Sequence, residues 1–461
     1  MVKLGKEQQQ AIDDILDFLK SEEEMCYSLV GAAGTGKSLT ISKLLNRLEC
    51  SVCLCAPTHK AALVMQSYCN EPALTIHSML ALSPKLDIEK FDISKLQFFT
   101  LPSAKEQIPY RGLVICDEAS MINDDLFSLL VEKCEDYESK ILFVSDKAQL
   151  LPVKSRKLSK VYTNCDRTFT LTKIYRQSSE NCILPILTEL RTKEKFDFVP
   201  LQSPDGNLNI YNNIKDFVIA CAEDFKIAIQ KHNILYTKLL AYTNNLVTTY
   251  NKVIQKYIWK DNALFHKGDI LTAYENGTSG VVIDSVDNKN ENTIGTPFNY
   301  YNGMDYIIED VKEDAKVIPD VGLVVGYTLQ LYDDYNKIIG EVFIVTDKSI
   351  YPQLAAKLEE YRLAGIENRK MWGRYFALSK SFSTIDYLYF NDRAVVKKSF
   401  DLGYCTTVHR SQGSSYNKIY IDVNSIATCR NKTVRRQLEY VAFSRTRSDV
   451  NIYMKYVGRS N

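Results

Sequence analysis

The chain has 461 residues, 45% of them hydrophobic and 25% charged, with a formal net charge of +1 at neutral pH. That length calls for several domains, each with its own core, and the composition is ordinary for a soluble globular protein. The near-zero charge neither marks a nucleic-acid binder nor excludes one whose basic residues are confined to a groove.

No run approaches the apolar length of a membrane span, and the N-terminus lacks a signal-like hydrophobic region, so no membrane partner is expected. The 12 cysteines are scattered without a C-x-x-C pair, and Cys53, Cys55 and Cys116 lie inside apolar runs like small buried hydrophobes. This favours a reducing, cytoplasmic compartment and argues against a disulfide framework or a zinc site. The 29 tyrosines crowd the second half, where they serve sheet packing or base stacking.

In chain order, Leu4 to Ile12 opens a helix whose apolar positions Ile12, Ile15, Leu16 and Leu19 share one face. Gln8 on this helix is either a solvated surface residue or, being close upstream of a phosphate loop, an amide that reads the adenine edge. The apolar run Tyr27 to Val30 then leads into Gly31-Ala32-Ala33-Gly34-Thr35-Gly36-Lys37-Ser38, followed by a helical pattern through Leu45. This is a G-x-x-x-x-G-K-[ST] phosphate loop in its strand–loop–helix context. The glycines let the backbone turn its N–H groups toward phosphate oxygens, and the following helix adds unpaired donors and the positive end of its dipole. Lys37 would reach the β- and γ-phosphates, and Ser38 would ligate Mg²⁺.

Three further apolar quartets each end in polar residues. Val52 to Cys55 runs into Ala56-Pro57-Thr58-His59-Lys60, Leu113 to Cys116 into Asp117-Glu118-Ala119-Ser120, and Ile141 to Val144 into Ser145 to Gln149. Such runs, separated by helical stretches, are predicted to be buried parallel strands with the ligand crevice at their carboxyl ends. Asp117 would hold Mg²⁺, Glu118 would orient or deprotonate the attacking water, and the Gln149 amide would touch the γ-phosphate. The stretch from Leu82 to Arg111 interrupts this pattern. Its Phe98-Phe99 pair either packs into a satellite cluster or tips a β-hairpin that stacks on a base pair.

Ile174-Tyr175-Arg176-Gln177 places an arginine at a domain joint, and a second α/β unit begins with Leu239 to Asn245. From about Trp259 to Phe400 the texture becomes short alternating segments with turn signals, as in a β-rich insertion. The α/β texture resumes at Gly403 to Ser414 and ends with Gln437 to Arg447 and the strand-like Val450 to Met454. Arg445 and Arg447 follow a mostly apolar helix. They form either a solvated basic patch or the source of an arginine that reaches the γ-phosphate from a second domain.

The ordered set of motifs resembles a superfamily 1 DNA helicase of the RecD/Dda-like branch over nearly the whole length. Glu7-Gln8 with Ala11 is similar to the family's adenine-reading motif, Gly31 to Ser38 to motif I, and Ala56 to Ala62 to motif Ia. Thr75 to Ser78 resembles the next DNA-contacting motif, Asp117 to Ser120 motif II, and Ser145 to Val153 motif III. Ile174 to Gln177 resembles motif IV, His409 to Ser414 motif V, and Tyr440 to Arg447 motif VI. Departures are Ser145 and Leu151-Pro152 in motif III, where the family has a glycine and two prolines, and Phe443-Ser444 in motif VI.

The resemblance implies an α/β fold of two RecA-like P-loop motor domains. The first, 1–81 with 112–175, would carry a small pin subdomain at 82–111. The second, 176–258 with 401–461, would carry a β-rich SH3-like insertion at 259–400. It implies ATP and Mg²⁺, with Gln8, Gly34, Thr35, Gly36, Lys37, Ser38 and Gly413 at the nucleotide, Ser38 and Asp117 at the metal, and Lys37, Glu118, Gln149, Arg176 and Arg445 as catalytic groups. Thr58, His59, Thr75, His77, Asn244 and His409 match DNA-contacting positions, and Phe98 or Phe99 the strand-separating wedge. The expected partners are single-stranded DNA and its junctions with duplex, the expected polarity is 5′→3′, and the chain is expected to act as a monomer. The competing readings are a nucleic-acid-stimulated ATPase that moves without unwinding, which a strand-displacement assay separates, and a nucleotide switch with no DNA role, which DNA stimulation of ATPase separates.

Overall fold

The computed structural model describes residues 4–85, 97–100, 105–152, 158–174, 181–193, 197–279, 298–318, 320–333, 338–396 and 398–455. The chain opens with helix α1 (Lys6–Lys20), strand β1 (Cys26–Gly31), helix α2 (Lys37–Leu45), strand β2 (Val52–Ala56), helix α3 (His59–Cys69) and strand β3 (Ala73–Thr75). A short antiparallel pair follows, β4 (Leu82–Lys85) with β5 (Gln97–Thr100). Then come β6 (Leu113–Cys116), β7 (Lys140–Ser145) and β8 (Arg167–Leu171).

Six of these strands make one parallel sheet in the order β3-β2-β6-β7-β1-β8. Its central strands are continuously apolar because both faces are covered. Leu113 to Cys116 and Ile141 to Val144 are essentially inaccessible to solvent. Leu29, Ile115 and Leu142 pack on one face with Ile12 and Ile41, while Cys55, Cys116 and Phe143 pack on the other with Phe127 and Leu130. The cysteines here are free thiols, and burial pushes Cys26 and Cys53 up to about 12. They are structural hydrophobes rather than reactive groups.

The second parallel sheet draws on two distant segments. Strands β9 (Leu208–Tyr211) and β10 (Thr237–Ala241) precede the β-rich region, whose strands are β11 (Ile270–Ala273), β12 (Gly277–Ser279), β13 (Phe298–Tyr300), β14 (Asp305–Ile318), β15 (Gly322–Tyr332), β16 (Ile338–Val345), β17 (Ser383–Thr384), β18 (Leu388–Phe390), β19 (Arg393–Val396) and β20 (Phe400–Leu402). The chain then returns with β21 (Cys405–Thr407), β22 (Tyr416–Asp422) and β23 (Thr446–Tyr453), and the sheet order is β21-β10-β22-β23-β9. The tyrosines of this half are largely packing residues. Phe217 meets Tyr211, Tyr250 and Tyr420 edge-on, and Tyr404, Tyr416 and Tyr440 are buried.

The β-rich region forms a third sheet, β17-β16-β15-β14-β11-β20, antiparallel except where β16 meets β17. Two helices that the sequence texture does not announce, Tyr351–Glu367 and Trp372–Lys380, pack against it through Leu354, Leu358, Tyr375 and Leu378. The three sheets meet at one buried charge cluster. Asp305 of β14 pairs with Lys238 of β10 at 2.8 Å and with Lys60 of α3 at 3.6 Å, and accepts a hydrogen bond from Thr272 of β11. Lys238 also donates to the Gly403 carbonyl.

Candidate active site and nucleic-acid groove

The phosphate loop adopts the backbone its sequence requires. Gly34 and Gly36 have φ of 86° and 81°, in the left-handed region that favours glycine. A Cβ on Gly36 would collide with the Gln8 amide. Gly36 is also the N-cap of α2 and offers no side-chain cap, so the first N–H groups of that helix face the loop unpaired, as an anion site needs. The Thr35 side chain is fully buried and donates to the Ala32 carbonyl at 2.9 Å, so it shapes the loop from inside. The Lys37 ammonium lies along the loop, donating to Gly31 O at 2.7 Å and Ala32 O at 3.2 Å.

Gln8 is buried rather than solvated. Its Nε2 donates to Thr35 O at 3.2 Å and its Oε1 accepts from Gly5 N at 2.9 Å, so the amide braces the phosphate loop. Neighbouring Glu7 accepts from the Thr172 and Lys173 amides, both at 2.9 Å, and so anchors the strand that leads toward Arg176. Arg176 itself lies outside the described residues.

A cavity of about 360 Å³ is lined by Gln8, Gly34, Gly36, Lys37 and Ser38 together with Asp117, Glu118 and Gln149 from the first sheet and Gly413, Ser414 and Arg445 from the second. Asp117 follows β6, and its Oδ1 accepts from the Glu118 amide at 2.8 Å. Glu118 has φ 50°, a left-handed conformation that costs a non-glycine residue roughly 1–2 kcal/mol and that clusters at functional sites. Burial first, then the Asp117 carboxylate, raise the Glu118 carboxyl above its ordinary value, with Arg445 and Lys37 pulling the other way. A carboxylate kept basic inside a cavity can accept a proton from water. Ser38 and Asp117 offer the hard oxygen donors that suit a magnesium ion. Among the described residues no cluster of three or more His, Cys, Asp and Glu stands ready for a softer metal.

Arg445 is buried and oriented by its own helix terminus. Its Nη2 donates to Ser444 Oγ at 2.8 Å, its Nε to Val441 O at 3.1 Å, and its Nη1 to Ser414 O at 3.3 Å. The unusual Ser444 therefore positions the arginine, and the unusual Phe443 stacks on Phe198 with ring centroids 5.1 Å apart. Gly413 has φ 75°, and a Cβ there would stand 3.5 Å from that of Ala61 in α3.

Residues not singled out from sequence complete the junction. Tyr440 lies in the helix Lys432–Phe443. It donates to Asp146 Oδ2 at 2.7 Å and accepts from the Ala33 amide at 3.0 Å, linking the second sheet to the phosphate loop. Tyr68 of α3 donates to Asp117 Oδ2 at 2.6 Å. The Gln412 amide reaches Gln149 at 3.4 Å. Tyr440 and Gln412 lie inside motifs that the sequence names and Tyr68 does not, but each pairing exists only because distant segments converge.

Gln412 also lines a second cavity of about 420 Å³, with Thr58, Lys60, Gly303, His409 and Arg410. Thr58 caps α3 by accepting from Ala61 N at 3.2 Å. His59 stacks on Tyr301 with centroids 4.0 Å apart, and Lys60 donates to Gly303 O at 3.2 Å, so motif Ia meets the β-rich region directly. Burial lowers the basicity of both His59 and His77, which keeps these half-buried rings neutral at physiological pH. The Arg410 guanidinium lies 3.8 Å from the centre of the Tyr274 ring, with Lys398 Nζ 4.0 Å from the same centre. Thr75 uses its hydroxyl to cap the next short helix, accepting from Ser78 N at 3.1 Å. Asn244 is exposed in the first turn of its helix and does not line this cavity. The side chains of Phe98 and Phe99 lie outside the described residues; their backbones belong to β5, paired with Pro84 and Ser83 of β4.

Comparisons with known proteins bear on the same two regions. A family model described as an AAA domain matches residues 3–199, and one described as a UvrD-like helicase C-terminal domain matches residues 402–453. The chain is 23% identical over 474 residues to the ATP-dependent DNA helicase dda of Enterobacteria phage T4, across 97% of this chain and 98% of that one. It is 33% identical over 159 residues to the ATP-dependent RecD2 DNA helicase of Deinococcus radiodurans, across 34% of this chain and 20% of that one. A crystal structure of a Bacteroides Pif1 helicase in complex with ADP-AlF3 and ssDNA shares the fold, with a TM-score of 0.50 at 15% identity over 98% of this chain and 92% of that one. Its α/β architecture with parallel sheets is that of RecA-like motor domains. With matched segments at both parallel sheets and an end-to-end relative in Dda, the chain is similar to the superfamily 1 helicases of the RecD/Dda-like branch.

Proposed function

We propose that this ATP-dependent DNA helicase translocates 5′→3′ along single-stranded DNA as a monomer and separates duplex ahead of it. The observation that carries the reading is the cavity shared by Lys37, Asp117 and Glu118 of the first sheet with Gly413 and Arg445 of the second. A nucleotide bound there would touch both lobes, so its γ-phosphate decides whether they close.

In this reading the α2 amides and Lys37 hold the phosphates of ATP, and Gln8 keeps the loop in shape beneath them. Ser38 and Asp117 would hold Mg²⁺, which when bound neutralises charge on the β- and γ-phosphate oxygens. Glu118 orients the attacking water and takes its proton, Gln149 senses the γ-phosphate, and Arg445 with Arg176 adds positive charge from the second lobe. The motor lobes would be 1–81 with 112–175 and 176–258 with 401–461. The 82–111 segment would be a pin with Phe98 or Phe99 as its wedge, and 259–400 an SH3-like insertion that encloses the strand. Thr58, His59, His77 and His409, with Arg410, would follow the phosphate backbone, a contact that carries no sequence information and suits a motor.

Partial duplexes with either a 5′ or a 3′ single-stranded tail test this. ATP-dependent displacement from the 5′-tailed substrate alone is expected, and none with Lys37→Ala. Displacement from the 3′-tailed substrate alone would refute the polarity. DNA-stimulated ATPase retained by Lys37→Ala would refute the site.

A further inference from the structure

Helix α3 has one end in each cavity. Thr58, its N-cap, and Lys60, in its first turn, line the groove. Val64 and Tyr68 line the nucleotide cavity. Between them lies an unbroken helix whose Ala61, Ala62 and Met65 are buried. From His59 to Tyr68 it spans roughly 13 Å at 1.5 Å per residue. Asn70 closes it in a left-handed conformation, with its amide bonded to Gln66 O at 2.9 Å.

At the far end, the Tyr68 hydroxyl reaches one of the two groups proposed to hold Mg²⁺. It donates to Asp117 Oδ2 at 2.6 Å. The other Asp117 oxygen is fixed by the Glu118 amide at 2.8 Å. Asp117 is thus held from two sides, once by its own loop and once by α3. Of these two supports only Tyr68 belongs to an element that also reaches the groove.

We propose that Tyr68 is a positioning residue that ties Asp117 to α3, so that a single strand in the groove stiffens the magnesium site through this helix. The inference rests on the nucleotide and DNA reading above. A DNA strand pressing on Thr58 would restrict the start of α3. The helix carries that restriction to its last turn, where the tyrosine hydroxyl limits the rotation of the carboxylate. By linkage, a filled magnesium–nucleotide site must tighten the groove by the same factor.

Tyr68→Phe removes one oxygen and leaves ring and helix in place. Binding of a fluorescent N-methylanthraniloyl-ADP is measured in the full chain while Mg²⁺ is titrated, with and without oligo-dT. Loss of a supporting hydrogen bond to a metal ligand typically lowers metal affinity 10–100-fold, so a rise of about tenfold in the half-saturating Mg²⁺ is expected, with metal-free nucleotide affinity unchanged. The factor by which oligo-dT tightens magnesium-dependent binding should fall toward one. Either quantity staying at its wild-type value in Tyr68→Phe overturns the proposal, including where only the melting temperature drops, which is the outcome of a purely structural tyrosine. Failure of wild-type protein to bind oligo-dT at all would instead refute the DNA reading.

Discussion

The cluster of Lys60, Lys238 and Asp305 joins all three sheets, and Asp305→Asn is the perturbation that isolates it. Lys238 and Asp305 have side chains only 1% and 4% exposed, so neither charge can be returned to water without opening the joint. Burial works to raise the Asp305 carboxyl, but Lys238 and Lys60 outweigh it and hold the group below its ordinary value. Removing one partner of a buried pair costs about 3–5 kcal/mol, because the charge left behind is uncompensated. The lysines keep carbonyl partners at Gly403 and Gly303, and an asparagine oxygen can still accept, so the low end, about 3 kcal/mol, applies. At roughly 2–4 °C per kcal/mol, thermal unfolding should fall by about 6–12 °C. Adding Lys238→Met to Asp305→Asn should recover at least half of the loss, since an apolar replacement no longer strands a charge. A drop under about 2 °C for the single variant, or strict additivity in the double, would refute the reasoning. Because the folded carboxyl titrates below its unfolded value, this contribution is fully present above the unfolded value. It is lost as pH falls through the folded one.

Glu118→Gln should leave nucleotide binding intact and reduce kcat by at least about a hundredfold, the usual scale for a general base; an unchanged kcat would remove Glu118 from the mechanism. Because the folded carboxyl titrates above its ordinary value, wild-type kcat should decline on the acid side at a higher pH than an ordinary glutamate predicts. Tyr440→Phe removes the hydroxyl that joins Ala33 to Asp146, a hydrogen bond to a charged group worth about 1.5–3 kcal/mol, so ATP affinity should weaken roughly tenfold or more. Equal affinity in an equilibrium titration would show that the contact does not hold the lobes together. Replacing Phe98 and Phe99 by Ala should impair strand displacement more than translocation along single strands. Equal loss in both assays would assign the pair to packing.

Where a function depends on backbone geometry within a few residues, the sequence is a sufficient guide. The phosphate loop, the carboxylates after β6 and the alternation of apolar runs with helices are such cases. The helix Tyr351–Glu367 was not legible for a specific reason. Its buried face includes Glu359 and Arg362, which neutralise each other at 2.7 Å, so charged residues occupy positions that a hydrophobic pattern would fill. Thr35 and Thr75 matched motif positions by type, yet each spends its hydroxyl on local backbone structure. Gln8 left two readings open because burial of a helix face depends on what packs there, and what packs there is the Thr35–Gly36 turn.

The sequence by itself determined that the chain carries a phosphate cradle, because Gly34, Gly36 and Lys37 act through a loop whose shape is set by its own φ angles. The order of its motifs also put Asp117 and Glu118 in one half and Arg445 in the other, and these three line one cavity. Only the tertiary structure decided how those halves are joined. Tyr440 meets Ala33 across 407 positions of chain, Tyr68 meets Asp117 across 49, and Lys238 meets Asp305 across 67. Hydrogen bonds and ion pairs depend on ångström-scale approach, which no local periodicity encodes; it arises when the sheets and α3 pack against one another.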